Sequence, residues 1–356
     1  MINRKILILY ALHEITENFL FFCRKGYIEN DNYHFIFIIN NLNLHINFLR
    51  AKNVQVINRE NKGYDFAGWT HALFLQDGET KKYLYENYDY FIFMNSTLKG
   101  PFLPLWFSKK ENMEWPDLFI DKITDDVKLV GTTINLYNAY EKKYSPHVQS
   151  MLLATDKIGL KIGIDKGIFD LNNIITDKIQ LINKKEIGFS KVILTAGYNI
   201  QSMLFAYDGI DFRKDFKFDK RHNDHCYTRQ YFNISINPYE VIFIKATRNI
   251  DPLVVQRYTE WQTKSPKLAE PKKRGIDKLL YGITESESVD ITKKILSYLE
   301  MNRIIRTTAK INNIIGFDPN TKQANKIFIY YTNIETPEIL NEFRMNISSN
   351  IIMLGD

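Results

Sequence analysis

Four short apolar runs constrain this chain more than any other feature. Residues 6–11, 34–39, 54–57 and 90–94 are nearly unbroken series of aliphatic and aromatic side chains, the pattern of strands buried on both faces. Residues 13–25 have helical spacing and stop at Gly26, a residue type that ends helices. Residues 69–75 read as helical ahead of the fourth run. Strands and helices alternating at this pitch predict an α/β fold, a mostly parallel sheet sandwiched by helices. The pattern continues with a strand over 128–133, a further element over 147–154 and a helix over 157–169. A helix over 186–196 closed by Gly197, an extended stretch at 198–200 and a strand over 241–244 complete it.

A chain of 356 residues has room for more than one such domain. Pro266, Pro271 and the basic cluster Lys272-Lys273-Arg274 shift the composition. We therefore expect an α/β domain over 1–262, a linker over 263–285 and a small C-terminal α+β module over 286–356. That module is expected to carry an amphipathic helix over 289–302 and a strand over 326–331.

Composition removes several classes of function. Hydrophobic residues at 45% and charged residues at 25% are those of a soluble globular chain. The net charge of +6 is scattered, whereas a nucleic-acid binder gathers its charge on one face. No nucleic-acid partner is expected, and the excess suits an anionic small ligand. Cys23 and Cys226 lack CxxC spacing, against a disulfide framework or thiolate zinc site and in keeping with a reducing compartment. No apolar run is long enough for a signal segment or a membrane span. The expectation is a soluble, cytoplasmic protein. Aromatic residues at 14% suit stacking on sugars or bases, but in an Asn-, Ile- and Lys-rich chain compositional bias is the preferred explanation.

The dinucleotide fingerprint GxGxxG and the P-loop pattern are both absent. Two other stretches draw attention. Asn61-Lys62-Gly63-Tyr64-Asp65-Phe66-Ala67-Gly68-Trp69 places an aspartate between two glycines, which permits a tight turn and close approach to a ligand. The run 90–94 delivers Asn95-Ser96-Thr97-Leu98-Lys99-Gly100-Pro101 to its carboxyl end, where ligands bind in open α/β sheets. An ordinary turn before an ordinary buried strand explains the same residues.

With these elements in order, the chain resembles glycosyltransferases of the GT-A fold, specifically the rhamnan synthesis protein F-like group related to family 2 transferases. The resemblance rests on the two stretches above and on His147-Val148-Gln149-Ser150-Met151. Glu186-Ile187-Gly188-Phe189-Ser190 ahead of Ala196-Gly197-Tyr198, and Pro238 through Lys245, belong with them. The C-terminal module resembles one appended to some sugar-processing proteins of large viruses and bacteria.

The resemblance implies transfer of a sugar, rhamnose or another deoxyhexose, from a nucleotide-diphosphate donor to a glycan or glycoprotein acceptor, with inversion. In such folds an Asp-x-Asp motif holds Mg²⁺ or Mn²⁺ against the diphosphate. Asn95-Ser96-Thr97 stands in that place, which leaves three arrangements open: metal held elsewhere, a metal-independent site, or an inactive one. Asn95, Asp224 and His225 are the candidate metal ligands, although His222-Asn223-Asp224-His225 reads first as a surface loop. Without metal, Lys245 and Arg248 would meet the leaving diphosphate, with Lys99 a further candidate and Arg213 and Arg221 behind them. Glu186 precedes the Ala-Gly-Tyr turn by the interval of the family 2 base, and a helix start there would favour its ionised form. Asp156 is the alternative. Gly63, Asp65, Gly68 and Ser96 would hold the donor, with His13 bordering the base and His147 and Gln149 holding acceptor or donor hydroxyls, although alternation along a strand explains the last two as well. Asp65 could equally be an Asx-turn residue. The rival from another class is a non-catalytic glycan- or nucleotide-binding protein on a degenerate GT-A fold.

Overall fold

The structure is a computed structural model, described for residues 4–49, 51–76, 81–107, 113–214, 224–248, 250–264, 276–282, 288–291, 304–305, 326–331, 338–341 and 349–353. It divides into two compact units. Met1–Asn41 and Lys52–Ser265 form the first, and Leu42–Ala51 with Pro266–Leu354 the second.

The first unit is built on a seven-stranded sheet. Its spatial order is Asn199–Ser202, Val127–Gly131, Leu152–Asp156, Tyr90–Asn95, Ile6–Leu12, Tyr33–Ile39 and Val54–Asn58. Leu152–Asp156 runs antiparallel to both neighbours, and every other pairing is parallel. Six strands therefore end at one edge, and the seventh begins there. All seven residues of Ile6–Leu12 are buried, as a strand covered on both faces requires.

Aromatic side chains fill both layers. On one face Phe19 and Phe22 of the Glu17–Lys25 helix pack on Tyr10, the latter with ring centroids 4.7 Å apart. On the other, Trp69 and Phe169 lie against Phe93 at 5.5 and 5.0 Å. Each such buried ring contributes about 1.5–3 kcal/mol. The first helix starts at Glu17 rather than residue 13 because Thr16 caps it, accepting from the Phe19 amide at 3.2 Å.

Several boundaries differ from expectation for local reasons. The second helix spans Tyr64–Leu73, not 69–75: Gly63, at φ 79°, is its N-cap, so most of the supposed glycine loop is helix. The element expected over 147–154 is two strands, Lys143–Val148 in a hairpin with Ile134–Asn138, then Leu152–Asp156. The strand expected over 241–244 is replaced by the helical turn Pro238–Val241, and only Ile244–Lys245 is extended. Between them Ile242 adopts φ 65°, a strained conformation for a β-branched residue.

In the second unit, Ser288–Asp290, Ile276–Gly282, Lys326–Tyr331 and Glu338–Asn341 form one antiparallel sheet in that order. Ile304–Ile305, Ser349–Met353 and His45–Leu49 form a mixed sheet, its first pairing antiparallel and its second parallel. Ile276–Gly282 thus makes a strand inside the segment expected to be linker, and 42–51 belongs to this unit although it lies between strands of the first. The helix expected over 289–302 falls mostly outside the described residues, as do Lys272-Lys273-Arg274. Among the described residues no helix is long and apolar enough to cross a membrane.

Candidate functional site

The carboxyl edge of the large sheet gathers the polar groups. Asn95 ends its strand with its side chain nearly buried, at 8% exposure. Its Nδ2 donates to Asp65 Oδ2 at 2.6 Å, and its Oδ1 accepts from the Thr97 amide at 3.1 Å and the Thr97 hydroxyl at 2.5 Å. Asp65 reaches this point because it lies in the first turn of the Tyr64–Leu73 helix, not in an Asx turn. The glycine-flanked aspartate and the polar strand tip therefore meet directly through this hydrogen bond. Trp69, from the same helix, is fully buried against Phe93.

Glu186 arrives from the side. The chain is helical from Lys178–Leu181 through a π-turn, Ile182–Glu186, into Ile187–Thr195. Glu186 therefore sits at a mid-helix bulge rather than at a helix start, and the expected dipole assistance does not apply. Instead Ser150, just before the antiparallel strand, donates its hydroxyl to Glu186 Oε2 at 2.6 Å. The helix is pinned there by Ser190, whose buried Oγ accepts from the Val148 amide at 2.9 Å. Such π-bulges recur at functional sites.

Lys245 joins from the Ile244–Lys245 strand, which pairs antiparallel with Leu98–Lys99 and is tied by the Ala246 amide to the Thr97 carbonyl at 3.0 Å. Asp65 registers all of these groups. Part of its surface is accessible, yet it is enclosed enough for burial to raise its pKa above the ordinary carboxylate value. The Asn95 hydrogen bond opposes that rise, the Glu186 charge adds to it and the Lys245 charge subtracts.

Other expected residues lie elsewhere. Asp156 stands at the opposite edge, paired in register with Tyr90, where it caps the Lys157–Asp165 helix through the Gly159 amide at 2.9 Å. It also takes Lys128 Nζ at 2.7 Å. Four residues of strand, roughly 13 Å, separate it from the carboxyl edge, so it is removed as the alternative base. Gly68 lies inside a helix, where an added Cβ would come within 3.0 Å of Ile38; its role is close packing. An added Cβ at Gly63 would meet Ile174 at 2.5 Å. His147 and Gln149 are buried and turned inward: His147 Nδ1 donates to the Ser145 carbonyl at 2.7 Å, and Gln149 bonds Thr133 and Asp224. Arg248 lies over the Tyr227 ring at 4.7 Å. Arg213 is engaged by Asp126 and Asp211. His13 remains at the edge, its Nδ1 donating to the Asn40 carbonyl at 2.6 Å, and the Ser96 amide donates to Ala11 at 3.0 Å. Lys99 lies over Phe21, with burial lowering its pKa. Arg221 and His222 lie outside the described residues.

The donor set does not fit a divalent cation. Asn95 Oδ1 is occupied by Thr97. His225 uses both ring nitrogens, Nδ1 toward the Gln230 carbonyl at 2.8 Å and Nε2 toward the Tyr207 hydroxyl at 2.6 Å. Asp224 Oδ1 already accepts from Gln149 and the Cys226 amide. Among the described residues no group of three His, Cys, Asp or Glu side chains is placed to hold a metal. A cavity of about 10 Å³ borders Gly63, Ile174 and Lys185. It has room for about one water, and neither Asp65, Asn95, Glu186 nor Lys245 lines it.

The first unit is thus an α/β domain with a mostly parallel central sheet, and an Asp–Asn pair, a bulge-borne glutamate and a lysine lie toward its carboxyl edge. Residues 36–225, 190 of the chain's 356, match the family described as rhamnan synthesis protein F, and the chain belongs to that family. The match contains Asp65, Asn95, Ser150 and Glu186; Lys245 lies beyond it. A solved apo structure of WbbM, a bifunctional glycosyltransferase, is similar at 8% identity and a TM-score of 0.24, over 56% of this chain and 38% of that one. The chain thus spans less than two fifths of WbbM's length. Comparison with curated proteins gives no match.

Sequence reasoning missed Ser150 as the partner of Glu186, and the Gln149–Asp224 link. Ser150 stands inside a stretch singled out for other residues, and nothing in its spacing marks the contact.

Proposed function

We propose that the protein is an inverting glycosyltransferase that moves a sugar, rhamnose or another deoxyhexose, from a nucleotide-diphosphate donor to a glycan or glycoprotein acceptor. The observation that carries this is the convergence of Glu186, Asp65, Asn95 and Lys245 at the carboxyl edge, where α/β folds bind ligands. Family membership supports it.

In this mechanism Ser150 holds one oxygen of Glu186, and the other takes the proton of the acceptor hydroxyl. The acceptor oxygen attacks the anomeric carbon as the glycosyl–phosphate bond breaks, and the nucleoside diphosphate departs with the bonding electrons. Lys245 offsets the charge that develops on it. Asp65, fixed by Asn95, hydrogen-bonds the donor. Because the described residues do not fit a metal, no step uses one. Incubation with a panel of nucleotide sugars should release nucleotide from at least one donor, at the same rate with EDTA as with Mn²⁺. Release from none, with or without acceptors, contradicts the proposal.

One observation favours a second reading, a non-catalytic glycan- or nucleotide-binding protein. Asn95 stands where the resemblance calls for an acidic residue, and its amide bonds Asp65 and Thr97. Saturable donor binding without turnover would decide for it.

A further inference from the structure

Phe205 is 84% exposed, yet its backbone is held firmly. It opens the short turn Phe205–Tyr207, which follows the edge strand Asn199–Ser202 at the sheet's carboxyl edge. The Phe205 amide donates to Glu240 Oε1 at 2.9 Å, and the Ala206 amide donates to the Tyr231 hydroxyl at 3.1 Å. That hydroxyl donates to the same Glu240 oxygen at 2.7 Å. Two residues on, Tyr207 is fully buried and bonded to His225. Phe232, 43% exposed, packs beside Tyr231 at 5.4 Å, and Ile234, 61% exposed, bridges to Tyr231. The result is a braced turn from which an aromatic ring projects.

The turn lies on the same edge of the sheet as the candidate site, and a series of largely buried hydrogen bonds links the two. Tyr207 bonds His225; its neighbour Asp224 bonds Gln149; and Ser150, next in the chain, bonds Glu186. Three strand spacings separate the Asn95 strand from the strand preceding Phe205, about 14 Å at about 4.8 Å each. That exceeds one monosaccharide and suits an oligosaccharide. Apolar C–H faces of a pyranose stack on an exposed ring, and Glu240, already bonded to Phe205 and Tyr231, helps hold the platform rather than repel a ligand.

We propose that Phe205 is a stacking platform for a distal sugar ring of the glycan acceptor. This rests on the glycosyl-transfer reading for the identity of the ligand. The test uses the full chain, its Phe205→Ala and Phe205→Trp variants, and a panel of rhamnose and hexose tetrasaccharides in saturation-transfer NMR. The parent should bind at least one tetrasaccharide. Phe205→Ala should weaken that binding by about fivefold or more, and Phe205→Trp should retain it. Nucleotide release from donor in water should stay unchanged in both variants. Tetrasaccharide binding that is absent in the parent, or equal in parent and Phe205→Ala, overturns the platform. So does a parent dimer in sedimentation that Phe205→Ala dissociates, which would assign the surface to a second copy of the chain. If tetrasaccharide binding follows the prediction while no donor ever turns over, the transfer reading fails and the platform stands.

Discussion

Asp65 is where the competing effects of the site meet. Burial raises its pKa, Asn95 opposes the rise, and Glu186 and Lys245 act in opposite directions. A carboxyl whose folded pKa exceeds its unfolded one binds more protons when folded. Its contribution to stability is therefore full below the unfolded pKa and is lost as pH rises through the folded value. Asp65→Asn keeps an oxygen to accept from Asn95 and removes the charge. The variant should melt above the parent at pH 8, with the gap closing as pH falls through the carboxylate range, while donor binding weakens. Calorimetric melts across that range check it, and a gap that widens on acidification would refute it. Asp65 and Asn95 were legible in the sequence because a glycine-flanked acid and a polar strand tip are local patterns. Their direct bond was not, because it depends on where the helix begins, and Gly63 starts it five residues before the apolar spacing suggests.

Helix and strand boundaries decide which carboxylate can do chemistry. The sequence offered Glu186 as the base and Asp156 as the alternative; the first lies on a π-turn and the second caps a helix at the opposite edge of the sheet. The antiparallel direction of Leu152–Asp156 causes this separation, and no local pattern announces strand direction. Asp156→Asn should retain the cap, since Asn caps as well as Asp, but it leaves Lys128, with its side chain 5% exposed, without its counter-charge. We expect a loss of about 3 kcal/mol in denaturant unfolding, with turnover per folded molecule unchanged. Lost turnover in a stable variant would return Asp156 to the chemistry. The buried strands themselves were readable to within a residue or two, because a parallel strand covered on both faces must be apolar throughout. The 241–244 strand was misread for the same reason: Val241 to Ile244 are apolar and buried, but Pro238 starts a helical turn and Ile242 reverses it.

At the scale of the molecule, the sheet gathers residues far apart in sequence, Asp65 through Lys245, at one edge. The alternation of apolar runs made that sheet predictable. Assignment of 42–51 to the second unit was not, since its pairing with Ser349–Met353 spans most of the chain. The central claim is that Glu186 takes the acceptor proton at that edge. The measurement is turnover and donor affinity of Glu186→Gln beside the parent. Turnover should vanish while donor affinity stays within about threefold, because a base acts chiefly in the transition state. Full turnover by Glu186→Gln would contradict the account.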